Sequence, residues 1–368
     1  MKRILISTDC FLPRWDGVAR FLSELIPHLA KNFKITVIAP EFPGRIPEFE
    51  NVDIIRFPLL KIQFGDINFS WVNKQTVEEI VKRHDIVFNQ TIGPIGAAAI
   101  DAAIKHDKPV ISYIHSIEWE VARNALRHFG KIAELIVKKR AKNYYNKSNL
   151  LLVPSDDIGN LLSINSITTR KKTIKLGVDT GRFIPPMNKF PAKKAIGVEG
   201  RIVIGFCGRI GREKDIPTLR KAFRIVHRKY PKTLLLIVGT GIHQKRNNSD
   251  HIKMVGSTDN VVPYLQAMDI FVLPSLTETS SLATMEAMST GLPVIVTPVG
   301  SIREYITSGK NGLIFQKGDS YELAEKILKL IENEKMRMDL GTKARQTIID
   351  QRNWHDTVKQ IIELIQDI

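Results

Sequence analysis

Short apolar runs alternate with stretches of helical periodicity along this chain. RILIST (3–8) reads as a buried strand, GVARFLSELIPHLAKN (17–32) as a helix, and KITVIAP (34–40) as the next strand. DIVFNQ (85–90), KPVISYIH (108–115) and LLLVPS (150–155) continue the series. After residue 200 the rhythm restarts with the strand RIVIGFCG (201–208), the helix DIPTLRKAFRIVHRKYP (215–231) and the strand TLLLIVGTG (233–241). HIKMVG (251–256), DIFVLPS (269–275), LPVIVTPVG (292–300) and NGLIF (311–315) follow as further strands. Unbroken apolar strands alternating with helices imply an α/β protein with parallel sheets covered on both faces. The restart implies two doubly wound, Rossmann-like domains, 1–180 and 181–351. Their junction falls near 176–194, where LGVDTGRFIPPMNKFPAKK replaces apolar periodicity with prolines and lysines. NWHDTVKQIIELIQDI (353–368) reads as a last helix.

Composition narrows the picture. At 368 residues the chain is long enough for two cores, and 43% hydrophobic with 25% charged residues is ordinary for a water-soluble protein. Cys10 and Cys207 are too few for a disulfide framework and suit a reducing cytoplasm as buried thiols. MKRILISTD reads as a first strand and not as a signal peptide, and no uncharged run is long enough to span a bilayer. The net charge of +16 invites a nucleic-acid partner. Its distribution argues against one. Residues 1–180 hold 26 basic and 19 acidic side chains, and 121–147 alone hold eight basic and one acidic, so a single segment carries that half's excess. A nucleic-acid binder should also interleave aromatics with its basic stripes, whereas aromatics make up only 7%. A dehydrogenase is disfavoured because no G-x-G-x-x-G follows either opening strand.

Ligands of doubly wound sheets bind beyond the carboxyl ends of the strands, and two such domains facing each other make a cleft. FCGRIGREKD (206–215) places Arg209 and Lys214 at one such strand end. Two cations there suit a diphosphate, one as a planar fork and one as a point charge; a solvated basic loop is the alternative. TETSSLATMEAMSTGLPVIV (277–296) sets two glutamates eight residues apart across a strand-to-helix turn. Eight residues rotate a helix by roughly 800°, about 80° off register. Glu278 therefore belongs to the loop and Glu286 to the helix. A helix starting near Ser280 or Ser281 would offer its free amides and positive dipole end to an anion. Glu286 could then accept from a ribose diol, and Glu278 from hydroxyls on the far side of the phosphate. Helix capping beside a solvated glutamate remains the alternative.

This combination resembles the retaining GT-B glycosyltransferases of family four. ETSSLATME resembles their Glu-x7-Glu, GRIGREK their Gly-Arg-x4-Lys, and VGTG their Val-Gly-x-Gly. EAMSTGLPVIVTPVGSIREYI, NGLIF, LGVDTGRFIPP, ISYIHSIEWE and STDCFLPRWDGVARFLSELIPHLAK are similar to further segments, so the likeness runs from residue 4 to about 355. The resemblance implies transfer of a sugar from a UDP- or GDP-linked donor with retention of configuration and no metal. It implies that Gly17 lets backbone approach the donor phosphates, and that Arg209 and Lys214 neutralise the departing diphosphate. Glu286 would hold the ribose. Glu278, Thr279 and the amides of Ser280, Ser281 and Leu282 would hold sugar and phosphate, with His115 near the reacting sugar. A histidine at a strand end is otherwise usually a satisfied core or edge residue. The last helix, from about 352 to 368, would cross back onto the first domain with Trp354 at the crossover. Where the family often has glycine this chain has Asp16, Asp215 and Ser281, which bears on loop geometry and on any assignment of the sugar.

For the acceptor, LPRWDGVARFL and YIHSIEWE look closest to branches that glycosylate diacylglycerol or related lipids. Arg123, Arg127, Lys131, Lys138 and Lys142 recur at intervals of 4, 4, 7 and 4, as on one helical stripe. Val121, Ala125, Phe129, Ile132 and Ile136 form another. A basic amphipathic helix suits an anionic membrane surface, at the inner face of the cell membrane if the protein is cytoplasmic. The same pattern fits an ordinary helix with its apolar side in the core and its lysines in water, and Gly130 could split it in two. A soluble glycan or small molecule as acceptor, or a GT-B nucleotide-sugar epimerase, are the other readings. The epimerase needs an acid/base set beyond His115 and Glu278.

Overall fold

The apolar runs become the central strands of two sheets. The computed structural model describes residues 1–368 apart from 65–66, 126–128 and 242–247, and the side chains outside 62–67, 124–128 and 242–247. The chain divides into two units, Met1–Lys175 together with Val358–Ile368, and Leu176–Thr357.

In unit 1 the strands are β1 (Arg3–Ser7), β2 (Lys34–Pro40), β3 (Val52–Phe57), β4 (Leu59–Phe64), β5 (Ile67–Ser70), β6 (Ile86–Asn89), β7 (Val110–Tyr113), β8 (Leu150–Val153) and β9 (Lys171–Thr173). Seven of them form one parallel sheet in the order β3-β2-β1-β6-β7-β8-β9, while β4 and β5 pair antiparallel. Leu5 of β1 stands beside Thr36 on one side and Val87 on the other. Every residue of β6, β7 and β8 is buried, as continuous apolar sequence requires of strands covered on both faces. The helix Gly17–Leu29 lays Ala19, Phe21, Leu22, Leu25, Ile26 and Leu29 into the core. Its N-cap is Asp16, whose Oδ1 accepts from the amides of Val18 and Ala19 at 3.0 and 2.9 Å.

Unit 2 carries β10 (Ile202–Cys207), β11 (Thr233–Val238), β12 (Ile252–Gly256), β13 (Ile270–Leu273), β14 (Val294–Val296) and β15 (Leu313–Ile314), parallel throughout in the order β12-β11-β10-β13-β14-β15. Both sheets reverse their order at one point, beside β1 in unit 1 and beside β10 in unit 2. The crevice at such a reversal is where doubly wound sheets bind ligands.

Strands β3, β4, β5 and β9 have no counterpart among the expected elements. β3 and β9 are sheet edges; β3 alternates half-buried and exposed residues up to the buried Phe57, and β9 is the polar tripeptide Lys171-Lys172-Thr173. Neither makes the apolar run by which a buried strand is recognised. The basic segment also departs from the single helix its spacing suggests. A helix ends at Ala125 and a second spans Gly130–Tyr145. A Cβ on Gly130 would lie 2.4 Å from the carbonyl oxygen of Arg123, so the second helix starts against the backbone of the first, an approach only glycine allows.

The ends of β10 and β11 are packed backbone to backbone. Gly208 N–H donates to the Val238 carbonyl at 2.9 Å, and Ile210 N–H to that of Thr240 at 2.8 Å. Gly239 has φ +133°, and a Cβ there would lie 1.9 Å from the Gly208 carbonyl oxygen. Gly239→Ala should therefore cost roughly 2–4 kcal/mol through backbone strain and overpacking. Gly200→Ala, also at positive φ but with no atom within 4 Å of the added carbon, should cost about 1 kcal/mol. Urea midpoints of the two variants test this, and equal losses would contradict it.

Candidate functional site

The crevice of unit 2 lies between the loops that follow β10 and β13. After β10 the chain passes through Gly208 and Arg209 into a single 3₁₀ turn, Arg212–Lys214. It then reverses at Asp215 (φ +44°) and enters the helix Ile216–Lys229, which Asp215 caps by accepting from Thr218 N–H at 3.4 Å. This turn delivers four charged side chains as two ion pairs. Arg209 donates to Glu213, four residues on, and Lys214 donates to Glu278 from the β13 loop. Glu278 also accepts from the Ser275 hydroxyl at 2.7 Å, and Leu276 N–H donates to the Glu213 carbonyl at 2.7 Å. The two loops are thus stitched by backbone and charge together. Such mostly buried charges persist because each has a counter-charge and hydrogen bonds.

The β13 loop ends at Ser281, which takes left-handed φ/ψ of +57° and +76° as the N-cap of the helix Leu282–Ser289. Its side chain makes no cap bond to that helix and its hydroxyl faces Thr284 Oγ1 at 2.8 Å. Thr284 N–H donates to the Ser281 carbonyl at 3.1 Å, and no side-chain cap bond reaches the start of this helix. Asp215 and Ser281 both adopt the conformation in which glycine is usual, so the departures from the family pattern keep the backbone while adding side chains. Glu286 lies on the helix and is only 3% exposed, which removes the reading of a solvated glutamate. Thr279 and Leu282 are half-buried, and Ser280 is buried.

Gly17 and His115 belong to unit 1. Gly17 opens its helix at a place where a Cβ would meet nothing within 4 Å. The Asp16 carboxylate already engages the next two amides, so this helix start offers an anion less than a bare one would. His115 follows β7 and stacks on Tyr113, with ring centroids 4.5 Å apart, and edge-on to Phe21 at 4.9 Å. Gln90 Nε2 donates to the Phe88 carbonyl at 3.3 Å, which turns Gln90 Oε1 toward His115 Nε2 at 2.9 Å. With the amide so oriented, Nε2 carries the imidazole proton. Burial against the two rings lowers the His115 pKa to about 3, so the ring is neutral in the physiological range.

Sequence reasoning missed several partners. Glu213 was detectable as the i+4 partner of Arg209. Ser275 lies only three residues before Glu278, whereas Gln90 and Tyr305 each meet partners 25 residues away and leave no local signal. Glu118, three residues past His115, accepts from the Tyr145 hydroxyl, and burial raises its carboxyl to about 7. Among the described residues no group of three or more His, Cys, Asp or Glu could hold a metal ion, and no helix is long and apolar enough to cross a membrane.

The basic segment is not one stripe. Arg123 sits on the first helix and pairs at 3.4 Å with Glu134 of the second; Lys131, Lys138 and Lys142 are on the second; Arg127 lies outside the described residues. The apolar positions do not enter the core either. Phe129, Ile132, Leu135 and Ile136 are 66%, 57%, 68% and 63% exposed, and the helix buries only Gly130, Ala141 and Tyr145.

Residues 15–182 match the family described as Glycosyltransferase Family 4, and residues 188–347 match Glycosyl transferases group 1. Alpha-monoglucosyldiacylglycerol synthase of Streptococcus pneumoniae is 25% identical, aligned over 80% of this chain and 70% of its own. The protein of the same name from Acholeplasma laidlawii is 25% identical over 94% and 92%. Among solved structures, Anabaena Alr3699/HepE in complex with UDP-glucose superposes over the whole of both chains with a TM-score of 0.81 at 16% identity.

The Glu118 carboxyl gives a signed expectation. Below its ordinary pKa of 4.5 it is protonated whether the chain is folded or not, and it costs nothing. Between 4.5 and about 7 only the unfolded chain ionises, so stability falls as pH rises; above that the full cost persists, about 3 kcal/mol at most. His115 acts in the opposite sense, costing stability as pH falls from 6.5 toward 3, and is common to both proteins compared. The Tm of Glu118→Gln should therefore match wild type near pH 4.5 and exceed it increasingly up to pH 8. A difference that does not change with pH would refute the assignment.

Proposed function

Because this chain belongs to the GT-B glycosyltransferases of Family 4 and group 1, enzymes that use a nucleotide sugar, we propose that it transfers a hexose from a UDP- or GDP-linked donor to a membrane lipid, with retention of anomeric configuration and without a metal ion. The observation that carries this reading is the pair of salt bridges at the unit 2 crevice, Arg209–Glu213 and Lys214–Glu278, beside the uncapped start of the helix Leu282–Ser289. A donor diphosphate would exchange partners with these pairs. Arg209 and Lys214 turn to the phosphate oxygens, and Glu278 is released from Lys214 to accept from sugar hydroxyls. Thr279 and the amides of Ser280, Ser281 and Leu282 complete the cradle, and Glu286 accepts from the ribose.

As the bond from the anomeric carbon to phosphate oxygen breaks, negative charge grows on the diphosphate. Two cations turned to the phosphate by donor binding stabilise that charge without further reorganisation, which is usually the largest catalytic contribution. The acceptor oxygen bonds to the anomeric carbon, and its proton passes to the leaving diphosphate. In this reading residues 181–351 form the donor domain. Residues 1–180 with the last helix form the acceptor domain, Gly17 admits the phosphates, and neutral His115, oriented by Gln90, lies near the reacting sugar.

A lipid acceptor is favoured by the exposed apolar ridge of Phe129, Ile132, Leu135 and Ile136, flanked by Lys131, Lys138 and Lys142. An apolar ridge bordered by lysines fits the headgroup boundary of an anionic bilayer, with roughly 1 kcal/mol from each lysine near the surface. Two relatives that are named for a glucosyldiacylglycerol product agree with this choice. The protein would then act as a peripheral enzyme on the cytoplasmic side of the membrane.

The test incubates the protein with UDP- and GDP-hexoses, in excess EDTA, with phosphatidylglycerol vesicles containing diacylglycerol or monoglucosyldiacylglycerol. Nucleotide diphosphate should be released only when vesicles are present, and Ile132→Ser with Ile136→Ser should reduce both flotation with the vesicles and release. Release restored only by magnesium or manganese would overturn metal independence. Release onto soluble glycans with no vesicle binding would replace the lipid acceptor.

Within the donor site, Glu286→Ala should weaken binding of the bare nucleotide diphosphate about tenfold or more, because the ribose contact exists in ground and transition states alike. Glu278→Ala should leave that affinity nearly intact and lower kcat. Calorimetry beside steady-state kinetics checks the division, and the reverse pattern would exchange the two roles.

A further inference from the structure

The donor loop is held from behind by a segment that has no part in the reading above. Three consecutive carbonyls, those of Glu278, Thr279 and Ser280, face residues 300–305. Ser301 N–H donates to Thr279 O at 2.7 Å, and the Tyr305 hydroxyl donates to Ser280 O at 2.8 Å. Gly300, at φ +54°, sits so close that a Cβ would be 2.3 Å from the Glu278 oxygen. Tyr305 is itself fixed. It is 2% exposed, and the Arg352 guanidinium lies over its ring, 5.2 Å from the centroid. Arg352, 3% exposed, donates to Glu304 at 3.0 Å. The Arg352 carbonyl accepts from Val178 N–H at 2.9 Å, and Trp354 N–H donates to Val178 O at 3.2 Å. The chain's entry into unit 2 is thereby tied to its exit, and both to Tyr305.

We propose that Tyr305 and Arg352 are positioning residues for the donor phosphate, acting through the Ser280 carbonyl. The physical reason is directional. A peptide group is planar, so fixing a carbonyl oxygen fixes the amide of the next residue on the opposite side. The Ser280 carbonyl therefore sets the direction of the Ser281 amide, and Ser281 is in a left-handed conformation that a loosened loop would abandon. Phenylalanine fills the same buried space and keeps the guanidinium contact, but it has no hydroxyl. The Ser280 carbonyl would then be unpartnered, and the loop free to turn its amides away from the phosphate. Arg352 acts one step further back, by holding the ring over which its guanidinium lies.

This inference rests on the donor site proposed above, and the test separates the two. Wild type, Tyr305→Phe, Arg352→Lys and the double variant are titrated with UDP, with GDP and with the corresponding nucleosides, the weak nucleosides by competition. Tyr305→Phe should weaken the diphosphate about tenfold and the nucleoside less than twofold. Arg352→Lys should give a smaller loss of the same selectivity, and the double variant should lose little more than Tyr305→Phe alone, because both act on one carbonyl. Leu340→Ala, a core change in the same unit, controls for general loosening and should lower Tm without this selectivity. A Tyr305→Phe that binds diphosphate as wild type does, or that loses diphosphate and nucleoside equally, overturns the positioning role. A wild type that binds neither diphosphate overturns the donor site and this inference together.

Discussion

The complete burial of the central strands governs where this protein can do chemistry. β6, β7 and β8 expose nothing, and neither does β13. Strands covered on both faces cannot present functional side chains along their length. Polar groups can emerge only where the strands end, and a parallel sheet puts all its carboxyl ends on one edge. His115, Gln90, Arg209 and Ser275 each lie within a few residues of such an end. The helices that follow begin in loops of this kind, two of them capped by the carboxylates of Asp16 and Asp215 and one starting at Ser281 without a side-chain cap.

Electrostatics at the unit 2 edge follows from that confinement. Arg209, Glu213, Lys214 and Glu278 are crowded into two loops with limited access to water, and pairing is what makes their burial tolerable. The pairing also presets their positions. Side chains already held by a partner lose little freedom when one anionic partner replaces another, so in the proposed reading most of the ordering that phosphate binding needs is done during folding. Unit 1 has a different character: Asp16 satisfies its own helix start and His115 is held neutral by two aromatic rings, so its edge offers a phosphate less positive charge.

The exposed ridge from Phe129 to Ile136 breaks the ordinary accounting of apolar surface. Four large apolar side chains on one helix face water while Ala141 and Tyr145 anchor its far end. The proposed membrane contact rests on this contiguous patch, since large exposed apolar patches are uncommon on well-packed proteins. The lysines around it favour an acidic surface. Periodicity could not show this, because an apolar stripe reads identically whether it faces a core or a bilayer.

The sequence determined the two-fold α/β rhythm, the central strands, and the division of Glu278 and Glu286 between loop and helix. These depend on local periodicity and on short-range geometry, which the chain carries in its own order. It also marked Arg209 and Lys214, because their place at a strand end follows from the strand. Edge strands β3 and β9 escaped because an edge needs no apolar run. The rest was decided by tertiary structure. Whether Phe129 and Ile132 are covered depends on what packs against their helix. Whether Lys214 meets Glu278, and Tyr305 the Ser280 carbonyl, depends on residues 64 and 25 positions apart being brought together by neighbouring strands. Such contacts are set by the order of strands in the sheet, and that order is a property of the fold as a whole and of no single segment.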